Sequence, residues 1–333
     1  MTDDFDPSVP LPEGAFYLPS FTGKTVPQAF WGDQFEETED SGFGASYHSV
    51  LMMCPRKFFF ANVERLKPAA FGEMGVSLRN HSLIRGWLMH ACFEVYYKGG
   101  MSDAAIQEAF QRLDAVAQVH EYVDLVSEVD NLFGSYLDRY KVEDRLAYDV
   151  VAVEYPMHIR NVVDGEEFLY TIRADLILRH RETGLTYIFE HKNLSSYGDN
   201  ERTGYLLDLQ IQGEAWCFIQ NQPAIPFGGV VINVVVCNKT PAFYRQLVTF
   251  TTKQMRNFGL QMRSWSSMRS QFQMAGWPQN FSACKTRYPG SRGGLCDYHS
   301  LCTYGFEVQD IRGKEPPPGF VRREKLVRKE NLG

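Results

Sequence analysis

The spacing of apolar residues changes once along this chain, and that change most constrains its fold. Between residues 46 and 141, four stretches place apolar side chains three and four residues apart, which predicts helices. After residue 148 the pattern predicts two strands joined at "DGEE" and a third strand after "ETG". A helix over about 203–220 follows, then strands at 228–238 and "AFYRQLVTF", and then a helix from Lys253 to about Met274. Antiparallel connections followed by a helical crossover predict an α/β domain, in which helices flank a mixed central sheet.

The two ends of the chain differ from this core in charge. Residues 1–45 carry nine acidic residues and one lysine, which predicts an acidic, irregular arm. Residues 312–330 carry seven basic and three acidic residues, which predicts a basic tail over 311–333. The expected organisation is therefore an arm, a core domain over 46–310 and a tail.

Composition narrows the class of protein further. Hydrophobic residues make up 44% of the chain and aromatic residues 14%, as in a globular protein. No apolar run approaches the roughly 18 residues of a membrane span, and "MTDDFDPSVP" lacks the features of a signal peptide. We therefore expect a cytoplasmic protein without membrane association, whose cysteines are reduced or bind metal.

The stretch "ADLILRHRETGLTYIFEHKN", residues 174–193, puts charge into a predicted hairpin. Asp175 lies in its first strand, and Glu190 and Lys192 share one face of the second. If the register brings Asp175 to that face, the two carboxylates repel each other and a divalent cation relieves the repulsion. A nearby lysine can orient or deprotonate a water, or neutralise charge on a phosphate. These residues fit metal-assisted phosphodiester hydrolysis; the alternative is an ordinary Glu–Lys pair on an exposed face.

Asp175 followed by "EHK" resembles the core motif of the PD-(D/E)XK nuclease superfamily. Its RecB-like branch includes AddB-type, CRISPR-associated adaptation and phage exonucleases, and it has a G-x3-H-x3-E helix motif. "GWLMHACFE" matches that motif with Gly86, His90 and Glu94, where Gly86 would permit close approach. A glutamine at the start of the helix after the hairpin is matched by Gln210. The tyrosine usual three or four residues later is replaced here by Gly213 or Glu214.

The resemblance implies a metal-dependent DNA exonuclease of recombination, repair or phage DNA processing, in a bacterial or phage-infected cell. Mg²⁺ or Mn²⁺ would be held by Asp175, Glu190, His90 and the carbonyl of His191. The catalytic residues would be Asp175, Glu190, Lys192 and Gln210. The alternatives are an inactive DNA-binding partner with the same fold and a site-specific endonuclease of the same superfamily.

The cysteines form a second pattern. Cys284, Cys296 and Cys302 cluster in a Gly- and Arg-rich segment, and Cys54 in "LMMCPRKFFF" is the candidate for a fourth ligand. Iron–sulfur members of the resembled branch have one such cysteine before the core and three after it. The resemblance therefore implies a 4Fe-4S cluster that joins the N-terminal and C-terminal segments. A zinc site and unrelated thiols are the alternatives.

The substrate implied by the resemblance is DNA, as single strands or as ends. Basic residues beside the cysteines are candidates for phosphate contacts: Arg56, Lys57, Lys285 and Arg287. The chain has no G-x4-G-K-[ST] motif, so unwinding would require a helicase or recombination partner.

Overall fold

A computed structural model of the chain describes residues 44–69, 81–117, 123–163, 166–285 and 296–322. The helices are α1 (Ala45–Met53), α2 (Pro55–Phe58), α3 (His81–Lys98), α4 (Asp103–Ala117), α5 (Val123–Ala147), α6 (Asp199–Gly204), α7 (Leu209–Asn221), α8 (Thr252–Met274), α9 (His299–Thr303) and α10 (Val308–Ile311). The strands are β1 (Leu66–Pro68), β2 (Tyr148–Val163), β3 (Glu166–His180), β4 (Thr186–Leu194), β5 (Phe227–Val236), β6 (Ala242–Val248) and β7 (Phe320–Arg322).

Within the described residues, β2 to β6 form one sheet in the order of the chain. The pairs β3–β4 and β5–β6 are antiparallel, whereas β4 and β5 are parallel. A parallel pair needs a crossover, and α6 and α7 supply it. Every residue of β5 is buried, as expected for a central strand covered on both faces. The predicted mixed α/β fold is confirmed.

The described residues divide into two compact units, and the first contains the hairpin motif. It comprises His81–Ile159 and Ile172–Gly259. Its core packs apolar and aromatic side chains of α3, α4 and α5 against β3, β4 and β5, including Phe93, Phe133, Leu176, Phe189 and Val231. Burial of this many large side chains fixes α3 and α5 on the sheet. His90 lies on α3 and Asp144 lies on α5.

The second unit contains the cysteine segments. Its described residues fall within Phe35–Asn80, Arg160–Thr171 and Leu260–Gly333. Its core joins aromatic residues of α2 and the following π-helical turn to later segments, including Phe58, Phe59, Trp277, Tyr298 and Phe320. β1 pairs antiparallel with β7.

The expected division into arm, core domain and tail stays a prediction. The range predicted as one core domain contributes to both units. The segment predicted as a tail is folded as far as Arg322, because Ile311 is buried and Arg322 Nη1 donates to Glu64 Oε2 at 2.6 Å. Residues 1–43 and 323–333 lie outside the described residues, so the expected arm and the rest of the tail stay predictions. Among the described helices, none is both long and apolar enough to span a membrane.

Candidate active site

The hairpin β3–β4 brings the predicted motif together. Leu176 pairs with Phe189, and extending that register by one residue sets Asp175 opposite Glu190. Directly opposed residues of an antiparallel pair lie on the same face, so the two carboxylates are neighbours. Lys192 Nζ donates to Glu190 Oε1 at 2.6 Å. Glu190 is 3% exposed, so these residues are not an ordinary pair on a solvent-facing strand.

Gln210 completes this face from α7. Asp208 caps the helix, because its carboxylate accepts from the backbone N–H groups of Gln210 and Ile211. This cap starts α7 at Leu209 and directs Gln210 back to the sheet. Gln210 Nε2 donates to Glu190 Oε1 at 2.7 Å, and its Oε1 accepts from Lys192 Nζ at 3.0 Å. The expected single helix over 203–220 is instead α6, a 3-10 turn at Tyr205–Leu207 and α7.

Glu214 adds a carboxylate at the position where the resembled branch usually has tyrosine. It lies one helical turn after Gln210 and accepts from Gln210 Nε2 at 2.9 Å. The residue is 1% exposed. In the sequence Glu214 is a departure from the motif, and no pattern there predicts that its side chain joins the site.

His90 approaches the same carboxylates from α3. Its Nδ1 lies 3.6 Å from Asp175 Oδ2, and its ring centre lies 5.7 Å from that of His191. The His191 N–H donates to Asp175 Oδ2 at 2.9 Å. The structure therefore brings the His90 and Asp175 side chains together beside the His191 backbone and sets Glu190 opposite Asp175; their binding of a metal stays a prediction. The other two residues of the helix motif show no hydrogen bond or ion pair to this site among the described residues. Glu94 forms an ion pair with Lys98. A Cβ on Gly86 would meet no described atom within 4 Å, so the close approach expected at this glycine is absent.

Glu154 of β2 joins this site although no sequence motif predicts it. One ligand atom from each of His90, Glu154 and Asp175 can be chosen so that all three lie within 4.8 Å of one another. Glu154 has φ 53°, a left-handed conformation that is rare for a non-glycine residue in a strand and tends to occur at functional sites. Arg173 Nε donates to Glu154 Oε2 at 2.8 Å. The available signal was one glutamate inside the apolar strand "DVVAVEYPMHI".

The electrostatics of this cluster favour a cation. Burial, and then the Glu190 carboxylate, raise the pKa of both Asp175 and Glu214 well above their ordinary values. Burial also raises the pKa of Glu154 and lowers that of His90. For Lys192, burial lowers the pKa, but the carboxylates of Glu190, Glu214 and Asp175 together more than offset this, and the pKa is raised. The amine therefore stays charged.

The four predicted cysteine ligands all lie in the second unit. Cys54 stands between α1 and α2, and its Sγ accepts from Lys57 N at 3.5 Å. Cys296 N donates to the Cys284 carbonyl at 3.4 Å, and Cys302 is on α9. Burial raises the pKa of Cys302 to about 11, and the thiols of Cys284, Cys54 and Cys296 contribute to the shift. The four thiols are therefore electrostatic neighbours.

Two predicted DNA contacts have partners within the protein. Arg56 Nε donates to the Trp277 carbonyl at 2.7 Å, and Arg56 Nη2 lies 3.3 Å from Glu307 Oε2. Lys57 Nζ lies 3.9 Å from Asp297. Their role in DNA binding stays a prediction. The Lys285 side chain and Arg287 lie outside the described residues.

Comparisons with known proteins bear on this arrangement. A crystal structure of a presumed exonuclease from Eubacterium rectale is similar over 89% of this chain and 97% of that one, with 10% identity and a TM-score of 0.47. The crystal structure of SSO0001 is similar over 66% and 84%, with 14% identity and a TM-score of 0.31. No curated protein matches the sequence. The profile of the PD-(D/E)XK nuclease superfamily matches residues 43–303, and the chain therefore belongs to that superfamily.

Proposed function

We propose that this protein is a metal-dependent DNA exonuclease. The observation that carries the proposal is the convergence of Asp175, Glu190, Lys192, Gln210 and His90 on one site, with the spacing of the superfamily motif. A retired site would have no reason to retain this arrangement of buried, mutually dependent charges.

The residues present fit a divalent cation. Glu190 Oε2 is buried and receives no hydrogen bond from the described residues, and the neighbouring carboxylates have raised pKa values. Asp175, Glu190, His90 and the His191 carbonyl would hold the ion, with Glu154 as a further ligand. Oxygen ligands suit Mg²⁺ and Mn²⁺, and an imidazole shifts the preference toward Mn²⁺. Bound there, the ion would neutralise phosphate charge and lower the pKa of a bound water.

The protein's own groups have separate roles in this proposal. Lys192 keeps its positive charge beside Glu190 and would stabilise negative charge that develops on the phosphate. Gln210 spans Lys192 and Glu190, and Glu214 holds Gln210 in turn. Each group is therefore positioned before substrate binds, which reduces the reorganisation needed in the transition state.

Digestion of end-labelled DNA tests the function. Single- and double-stranded DNA, labelled at the 5′ or 3′ end, are incubated with Mg²⁺ or Mn²⁺, and we expect progressive shortening from an end. Asp175→Asn and Glu190→Gln should abolish it. Cleavage of closed circular DNA would indicate an endonuclease instead. DNA binding without cleavage under any metal condition would indicate the inactive binding partner.

A surface of aromatic and apolar side chains beside the site supports nucleic acid as the substrate. Tyr205 lies in the 3-10 turn that ends just before Asp208, the cap of α7, and burial raises its pKa. Leu206 and Leu207 follow it and are 46% and 80% exposed. Arg202 lies 5.2 Å from the ring centre of Tyr197. Aromatic faces and arginine are the groups on which unpaired bases stack, so we propose contacts to single-stranded DNA here.

We also propose that Cys54, Cys284, Cys296 and Cys302 hold a structural 4Fe-4S cluster, with zinc as the alternative. The donor set fits, because four thiols lie in one unit, and Cys54, Cys284 and Cys296 add to the effect of burial in raising the pKa of Cys302. Hydrogen bonds already join their distant segments: Arg56 N donates to the Pro278 carbonyl, and Asn280 Nδ2 to the Met53 carbonyl. Closure of a loop this long would restrict the unfolded chain and stabilise the fold. Brown, anaerobically purified protein supports the cluster; colourless protein with one zinc overturns it.

The biological setting is proposed from the resemblance alone. It comprises recombination, repair or phage DNA processing in the cytoplasm, with a helicase or recombination protein as partner. Co-purification of the tagged chain with a helicase from its native cells would test the partner, and recovery of the chain alone under low-salt conditions would count against it.

A further inference from the structure

A row of buried polar side chains leads away from the active site across the sheet, and the proposed mechanism does not use it. His191 of β4 pairs with Asn233 of β5, and Asn233 pairs with Arg245 of β6. Paired residues share a face, so the three side chains form one row across three strands. They are 3%, 0% and 2% exposed, and groups buried to this degree need partners.

The direction of the hydrogen bonds in this row follows from Arg245, which can only donate. Arg245 Nε lies 3.4 Å from Asn233 Oδ1, which fixes the orientation of the amide. Asn233 Nδ2 therefore faces His191 Nδ1 at 2.8 Å and the Tyr136 hydroxyl at 3.0 Å. Since the amide nitrogen donates, His191 Nδ1 accepts, and the proton of the neutral imidazole is on Nε2.

The same reasoning fixes the rest of the chain of hydrogen bonds. The Tyr136 hydroxyl also accepts from Arg245 Nη2 at 2.9 Å, so its own proton points to the Tyr97 hydroxyl, 2.9 Å away. Tyr97 donates to Asp144 Oδ2 at 2.9 Å. Asp144 accepts two hydrogen bonds from Arg245, at 2.6 and 2.9 Å. A network in which each bond has one direction has few alternative arrangements and is therefore rigid.

This network ends at His191. The backbone carbonyl of His191 is an expected metal ligand, and its backbone N–H contacts Asp175, another expected ligand. The His191 ring is held by Asn233 and packs against Phe93, with ring centres 4.3 Å apart. The backbone N–H of His191 donates to Asp175 Oδ2 at 2.9 Å, and the His90 ring centre lies 5.7 Å from that of His191. Fixing the His191 side chain therefore fixes the backbone that orients Asp175 and faces His90.

We propose that Asn233, supported by Tyr136 and the Asp144–Arg245 pair, is a positioning residue for the metal site. The proposal rests on the proposed function, because it assigns the role of holding the His191 peptide in the geometry that binds the cation. Asn233 touches neither substrate nor ion in this assignment, and it acts through His191.

Direct Mn²⁺ binding, measured by calorimetry on the full chain, tests the proposal without relying on cleavage. Asn233→Leu keeps the side-chain volume and removes both polar ends, and we expect the Kd for Mn²⁺ to rise about tenfold. DNA cleavage at saturating Mn²⁺ should stay within about threefold of wild type, because Lys192 and Gln210 are untouched. Tyr136→Phe is the milder variant, with an expected rise of about threefold. Tyr148→Phe is its matched control, because that buried hydroxyl has no partner among the described residues.

A second readout requires no substitution. In metal-free wild-type protein, ¹⁵N NMR should show His191 with an unprotonated Nδ1 and a protonated Nε2. A proton on Nδ1 would overturn the proposal. So would an unchanged Mn²⁺ Kd in folded Asn233→Leu, or equal Kd values for Tyr136→Phe and Tyr148→Phe. Wild-type protein that binds Mn²⁺ without cleaving DNA would refute the proposed function and leave the positioning role to be decided by these Kd values.

Discussion

Replacing Arg245 by methionine should destabilise the protein by about 3–5 kcal/mol, because the Asp144 carboxylate would stay buried without its partner. The two side chains are 2% and 0% exposed, and two hydrogen bonds of 2.6 and 2.9 Å join them. The Tyr97 hydroxyl still donates to Asp144 in the variant, but one neutral donor replaces only part of a bidentate guanidinium.

Asp144→Asn is the matched change on the other side of the pair. It keeps the shape of the side chain and leaves the Arg245 charge without a buried partner. Glu143 Oε1 lies 3.6 Å from Arg245 Nη1, so we expect a cost near the lower end, about 3 kcal/mol. The double variant removes both charges, and its cost should fall below the sum of the single costs by at least about 2 kcal/mol.

Urea unfolding in metal-free buffer at neutral pH, followed by tryptophan fluorescence, gives the free energies from the midpoint and slope. Tyr148→Phe is the control for removal of a buried polar group without partners, and it should cost less than about 1 kcal/mol. Strictly additive losses, or a loss below about 1 kcal/mol for Arg245→Met, would refute the reasoning that the two charges are desolvated and depend on each other.

Four further predictions concern the two proposed metal sites. Lys192→Met should leave the Mn²⁺ Kd within about threefold while lowering turnover at least about 100-fold, and equal losses would make the lysine structural. Glu154→Gln should weaken Mn²⁺ binding about tenfold by calorimetry; an unchanged Kd removes it from the ligands. The pKa of Glu214 is raised in the folded protein above its unfolded value of about 4.3. The contribution of this carboxyl to stability is therefore complete below about pH 4.3 and is lost as the pH rises toward the folded-state pKa. Glu214→Gln in EDTA should therefore gain thermal stability relative to wild type from pH 5 to pH 8, and parallel curves would contradict this. Cys302→Ser should lose the brown colour and the stability of the second unit, whereas Cys92→Ser, in the core of the first unit, should keep both.

The catalytic motif was predictable from the sequence because its geometry is local. The two-residue period of a strand places Glu190 and Lys192 on one face, and the short turn of the hairpin makes Asp175 their neighbour. His90 and Gln210 were found by the spacing of a motif on helices next to the sheet in sequence. The type and order of most elements followed from the same local periodicities, as in α3, β4 and β5.

Other parts of the site depend on contacts that no local pattern encodes. Glu154 reaches the site through an unusual backbone conformation in β2, and Glu214 does so because Asp208 caps α7 and sets its rotation. Asp144 and Arg245 are 101 residues apart in sequence and meet only when α5 packs on the sheet. The periodicity of apolar residues in the sequence indicates which face of a helix or strand is buried. The partner of a buried polar group on another element depends instead on how the elements pack together. The sequence by itself therefore determined the superfamily motif and the helix residues that match it, and tertiary packing decided that Glu154 and Glu214 join them and which residues hold the site in place.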